Sequence, residues 1–167
     1  KEAALVFSTG MMVNLGAIFA LVGRNDTVIV DRTDHASIID GTRLSFGQVK
    51  KYRHNDMASL AHTLDVCTTD GKLIVVDGVF SMHGDIAKIP EILDLAERHN
   101  AVLMIDDAHG VGVLGAQGRG TANHFGVTER VPLIMGTFSK SLASVGGFIA
   151  ADKDTIHFIQ HIARSLI

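Results

Sequence analysis

Four residue clusters carry groups able to do chemistry, and each follows a short apolar run. Lys140 stands in Gly136-Thr137-Phe138-Ser139-Lys140-Ser141, among small and hydroxyl-bearing residues with no carboxylate beside it. A lysine held out of water loses its proton more readily and can form a Schiff base with a carbonyl. Asp106 closes the run Ala101–Asp106, with Asp107, Ala108 and His109 behind it. A carboxylate there would keep a pyridinium nitrogen protonated, the electron-sink arrangement of pyridoxal phosphate. Asp107 is the rival acid, and Asp106 is chosen because it ends the apolar run. Ser8-Thr9-Gly10 precedes a helical pattern, and helix N-termini bind phosphate through free N–H groups and the helix dipole. His35 stands at another helix start, where a flat imidazole could stack on a ring. Each has a plainer reading: a solvated lysine, a loop-capping aspartate, an ordinary helix cap and a surface histidine.

These clusters need a scaffold that brings them together. Strand patterns fall at 27–31, 48–52, 72–77, 101–106, 132–137 and 146–151. The runs at 72–77 and 101–106 are nearly continuous in Val, Ile, Leu and Met, as strands buried on both faces are. Helix patterns fall at 11–22, 35–45, 56–66 and 90–99, with Asp56 as an N-cap and Pro90 in a first helical turn. The alternation predicts an α/β fold, a mostly parallel sheet with helices on both faces and right-handed crossovers. Ligands of such sheets sit beyond the carboxyl ends of the strands, where Asp34-His35, Gly78–Ser81, Asp106–His109 and Phe138–Ser141 fall.

Composition removes several alternatives. The chain has 167 residues, 47% of them hydrophobic, enough for one domain with a real core. Net charge is −3 with no basic block, so nucleic acid is not an expected partner. No apolar run approaches the ~20 residues of a membrane-spanning helix, and there is no signal peptide. A single cysteine, Cys67, suits a reducing compartment, hence the cytoplasm. The glycines of 115–120 lack the strand-to-helix setting of a dinucleotide fingerprint. His99 and His124 read as helix-surface residues. His54, His62, His83, His157 and His161 lack metal-ligand spacing, so no metal is expected.

Five segments in order resemble the α-oxoamine synthases, pyridoxal-phosphate enzymes of the aspartate-aminotransferase fold type. They are FSTGMMVNLGAI (7–18), DRTDHASIIDG (31–41), VVDGVFSMHGDIAKIPEI (75–92), MIDDAHGVGVLGAQGRG (104–120) and GTFSKSLASVGGFIA (136–150). The resemblance runs over residues 1–167 and implies the central part of the family's large domain, without its N-terminal segment and C-terminal small domain. It makes Lys140 the Schiff-base lysine and Asp106 the pyridinium partner. His109 and Ser81 become partners of the cofactor's phenolic oxygen, and His35 the stacking ring. Thr137 becomes a phosphate contact, and Thr9, Gly10 and Met11 the phosphate-gripping turn. Met11 stands where the family usually has an aromatic residue, and Asp77 where it often has Glu.

The implied reaction is decarboxylative condensation of an amino acid with an acyl-CoA, carried out by a homodimer. Within the family, Thr137–Ser141 leans to the serine palmitoyltransferases. The 8-amino-7-oxononanoate synthases and 2-amino-3-ketobutyrate CoA ligases are the alternatives, and a plain aminotransferase or an inactive partner subunit ranks lower. An apolar stripe of Phe158, Ile159, Ile162 and Leu166 is expected to face a partner or a further domain.

Overall fold

The computed structural model describes residues 1–166. Its seven strands are β1 (Ala3–Phe7), β2 (Asp26–Asp31), β3 (Gln48–Tyr52), β4 (Gly71–Asp77), β5 (Val102–Asp106), β6 (Leu133–Thr137) and β7 (Gly147–Ala151). They form one sheet in the order β1-β7-β6-β5-β4-β2-β3. The pairs β3–β2, β2–β4, β4–β5 and β5–β6 are parallel. β7 runs against both of its neighbours.

The short link between β6 and β7 explains that reversal. A parallel partner needs a crossover of a dozen or more residues. Residues 138–146 instead make a closed turn, with Phe138 N–H bonded to Gly146 O and Ser144 N–H to Phe138 O. Gly146 sits at φ +110°, a backbone conformation that suits glycine. β1 escaped the sequence reading: Ala3–Phe7 is a short edge strand with no turn signal before it.

Six helices complete the fold: α1 (Gly10–Leu21), α2 (Ala36–Leu44), α3 (Met57–Asp65), α4 (Ile89–Arg98), α5 (Thr121–His124) and α6 (Lys153–Ile162). The predicted starts hold within a residue. Asp56 caps α3 by accepting from Ser59 N–H, and Pro90 lies in the first turn of α4. Side chains alternate across a strand. Val28, Val30, Leu73, Val75 and Met104 therefore join α1 and α6 in one core. Ile29, Ile74, Val76, Leu103 and Ile105 join α3 and α4 in the other. Helices thus cover both faces, as the sequence pattern required. The apolar stripe divides. Ile159 is buried in the core and Leu166 packs against it, while Phe158 and Ile162 stay exposed.

Candidate active site

A cavity of about 200 Å³ opens at the carboxyl ends of β4, β5 and β6 and at the N-terminus of α1. All nine residues assigned to the site line it: Thr9, Gly10, Met11, His35, Ser81, Asp106, His109, Thr137 and Lys140. Residues from the first tenth of the chain thus meet residues from its last quarter, because β6 lies beside β5 and α1 packs over both.

Asp106 forms the buried floor, 4% exposed. Its Oδ2 accepts from Asn14 Nδ2 at 2.7 Å and its Oδ1 from Ala108 N–H at 3.1 Å. Asp107, one residue on, points away from the cavity. It accepts from the backbone N–H of Thr121 at 2.8 Å and from the Thr121 hydroxyl. Gly110 and Gly120 pack so closely on that carboxylate that a Cβ on either would collide with it. Strand alternation separates the two acids: Asp106 faces the ligand space, and Asp107 ties the 107–121 loop together. The glycines of 115–120 belong to that loop, and Gly112, Gly115, Gly118 and Gly120 all adopt positive φ.

Lys140 departs from expectation in one respect. It follows a buried strand, but its side chain is exposed, so these residues do not themselves remove it from water. What they do is aim it. Lys140 Nζ lies 2.6 Å from His109 Nε2. Partial burial and the neighbouring Lys140 charge lower the His109 pKa, against the opposing pull of Asp106. His109 is therefore biased toward the neutral imidazole, which can accept a hydrogen bond from the lysine amine. The lysine turn is fixed by Thr137, whose hydroxyl donates to Gly146 O at 3.0 Å, and by Ser141, whose hydroxyl donates to Val111 O at 2.6 Å.

His35 serves as a helix cap and also lines the cavity. Its Nδ1 caps α2 by accepting from Ser37 N–H at 3.2 Å. The cap needs a lone pair on Nδ1, which leaves the proton to Nε2. Asp77 supports it from below, its Oδ2 accepting from His35 N–H at 2.8 Å. Burial, and then the charge of Asp106 alongside, push Asp77 up to about 8. Thr9 caps α1 by accepting from Met12 N–H at 3.1 Å. The N–H groups of Gly10 and Met11 belong to the first helical turn and have no acceptor within the helix. Ser81 and Met11 form exposed parts of the rim.

Sequence reasoning missed Asn14 and Ser37. Asn14 is fully buried and donates to Asp106 and, at 2.9 Å, to Ser37 Oγ. Ser37 Oγ in turn lies 2.8 Å from His35 Nδ1. One hydrogen-bonded chain thus links the stacking candidate to the floor acid. The available signal was a single polar residue inside the apolar run of α1.

The family model for aminotransferase class I and II matches residues 1–167, and the chain belongs to that family. It is 60% identical to serine palmitoyltransferase of Bacteroides ovatus, over 100% of this chain and 43% of that protein. It is 52% identical to 8-amino-7-oxononanoate synthase of Trichlorobacter lovleyi, over 99% of this chain and 43% of that one. Among solved structures, serine palmitoyltransferase of Sphingomonas wittichii superposes with a TM-score of 0.95 at 39% identity, covering 100% of this chain and 42% of that chain. A serine palmitoyltransferase of S. paucimobilis with a bound PLP–myriocin adduct also gives 0.95, at 37% identity, over 99% of this chain and 42% of that chain. The chain therefore spans less than half the length of these relatives. They are the two enzyme types to which the sequence motifs pointed most closely.

Proposed function

We propose that this chain is the cofactor-binding core of a pyridoxal-phosphate-dependent enzyme that condenses an amino acid with an acyl-CoA, of the serine palmitoyltransferase type. The observation that carries the reading is the pairing of Lys140 and His109 at 2.6 Å over the floor carboxylate Asp106 in one cavity. The donor set suits pyridoxal phosphate. Gly10 and Met11, whose N–H groups have no acceptor within the helix, line one end of the cavity and suit an anion's oxygens. Asp106 is an acceptor for a ring N–H. His109 and Ser81 suit a phenolic oxygen, His35 one face of a flat ring, and Lys140 the aldehyde.

Bound there, the cofactor supplies an electron-poor ring that accepts the electron pair left at the amino acid's Cα. The rest is work for this chain. Asp106 holds the ring nitrogen's proton by its negative charge. Lys140, as a free amine, would remove the Cα proton as general base. Neutral His109 orients the amine by accepting from it. Over the full cycle a Cα–acyl bond forms, the thioester C–S bond breaks, CoA leaves as its thiol, and the substrate carboxylate departs as carbon dioxide. Lysine fixation, ring protonation and phosphate capture all fall within these residues. A longer chain would supply the small domain and the remaining contacts.

Serine and palmitoyl-CoA are the favoured substrates, on the 60% identity with serine palmitoyltransferases. A second reading, 8-amino-7-oxononanoate synthesis from alanine, rests on the 52% identity with such a synthase. A cytoplasmic homodimer completes the proposal, supported by the lone Cys67 and by the exposed Phe158 and Ile162. No described helix is long and apolar enough to cross a membrane. The test is CoA release by the full-length protein with serine, alanine or glycine and a series of acyl-CoAs. Borohydride trapping and peptide mapping accompany it and should label Lys140 alone. Keto-acid formation without CoA release, or label on another lysine, would overturn the reading.

A further inference from the structure

We infer that His54, His83 and Asp85 form a divalent-cation site of the imidazole-and-carboxylate kind that Zn²⁺ takes, set beside the cavity on the loop that carries Ser81. Their ligand atoms all lie within 4.8 Å of one another. His54 follows β3, while His83 and Asp85 lie in the loop after β4, so the chain brings them together only on folding. That separation is why the histidine spacing in the sequence gave no sign of a metal.

The geometry is close to a coordination shell already. His54 Nε2 lies 3.0 Å from Asp85 Oδ2. Two ligand atoms each about 2.1 Å from a tetrahedral Zn²⁺ stand about 3.4 Å apart, so less than half an ångström of spreading admits the ion. The His83 ring lies 5.1 Å from that of His54, centroid to centroid. His83 is exposed and can turn a nitrogen inward, leaving the fourth position to water, which is the open arrangement of three protein ligands.

The support behind these groups is more telling than the groups themselves. Metal-bound histidines give their second nitrogen to a carboxylate or carbonyl, which fixes the ring. His54 Nδ1 lies 3.1 Å from Oδ1 of Asp31, a fully buried carboxylate at the end of β2, and 2.7 Å from the Thr33 hydroxyl. Asp31 is itself held by the N–H groups of Thr33 and Asn55. Phe80 meets the same ring edge-on at 4.5 Å. A second sign comes from Asp85: its side chain is 39% exposed, yet its Oδ1 is turned inward and has no hydrogen-bond partner. A buried carboxylate oxygen without a partner is costly, and a cation on that carboxylate offsets the cost. Bound metal would tie the 78–88 loop, and Ser81 with it, to the ends of β2 and β3.

The test uses Co²⁺ as a coloured probe for the Zn²⁺ geometry, titrated into the full chain and followed by its visible absorption. We expect one equivalent bound with a tetrahedral spectrum, displaced by Zn²⁺, and slower amide exchange at residues 79–86. His83→Ala, at an exposed position, should leave the fold intact and weaken binding at least about tenfold. Asp85→Asn should do the same. His157 and His161 lie one helical turn apart on α6, with ring centroids 4.4 Å apart, and are the competing surface chelate. A double His157→Gln, His161→Gln variant should bind as the parent does. Uptake unchanged by His83→Ala, uptake lost with the α6 pair, or no uptake below millimolar Co²⁺ would each overturn the site and leave His54, Asp31 and Asp85 as a plain hydrogen-bonded network.

Discussion

Asp77→Asn is expected to stabilise the chain at neutral pH, although it alters a buried residue of the site. Asp77 is 6% exposed and pairs in register with Asp106 across β4 and β5. Burial and the Asp106 charge push its pKa from 3.8 up to about 8; the His35 N–H and the Lys140 charge pull the other way and lose. Asp31 adds to the upward push, and buried Asp34 and Tyr52 behind it are raised well above their usual values for the same reason. Between pH 3.8 and about 8 the folded chain therefore holds a proton at Asp77 that the unfolded chain has released. The state that binds more protons loses ground as they are withdrawn, so stability falls with rising pH across this window. One proton is worth about 1.4 kcal/mol per pH unit, which sets a ceiling of about 4 kcal/mol by pH 7.

Asparagine imitates the protonated acid. Its carbonyl can still accept the His35 N–H, which Asp77 takes at 2.8 Å. The gain from Asp77→Asn should reach about 1–4 kcal/mol at pH 7, shrink to about 1 at pH 5 and vanish near pH 4. Urea unfolding at each pH, in cofactor-free buffer, measures the difference, in which the titrations of groups remote from Asp77 cancel. The infrared band of protonated carboxyls at pH 7 should be weaker in the variant than in the parent by the contribution of one group. A stability difference that does not vary with pH, or a variant weaker than the parent at pH 7, would show Asp77 to be ionised in the fold and refute the reasoning.

Three further outcomes concern the floor acid and the residues around it. Asp107→Ala removes the acceptor of both Thr121 bonds and should cost about 3 kcal/mol in urea unfolding. Asp106→Asn should cost under about 1 kcal/mol in stability yet lower cofactor-dependent turnover of the full-length enzyme by orders of magnitude, since fixed charge is usually the largest catalytic contribution; the reverse pattern would exchange the roles of the two acids. Asn14→Ala strips a buried donor from Asp106 and Ser37 and should cost about 2–4 kcal/mol by the same measurement, and a loss below about 0.5 kcal/mol would mean that the chain of bonds from His35 to Asp106 is not holding the site.

The amino-acid sequence by itself determined the strand and helix alternation, because burial on both faces leaves continuous apolar runs at 72–77 and 101–106 whatever their neighbours are. It also determined which residues would gather. Ligand-facing groups of a parallel sheet must lie just past the strand ends, and His35, Asp106, His109 and Lys140 all do. Tertiary structure decided what depends on partners distant in the chain. The reversal of β7 came from hydrogen bonds that close 138–146 into a turn. The separate duties of Asp106 and Asp107 came from the side of the sheet each faces and from Thr121 waiting on one side. Asn14 became part of the site only because α1 lies over β5. The exposure of Lys140, the raised pKa of Asp77 and the meeting of His54, His83 and Asp85 depend on how much water and which charges surround a group. Those surroundings are assembled by the whole fold, and no local stretch of sequence contains them.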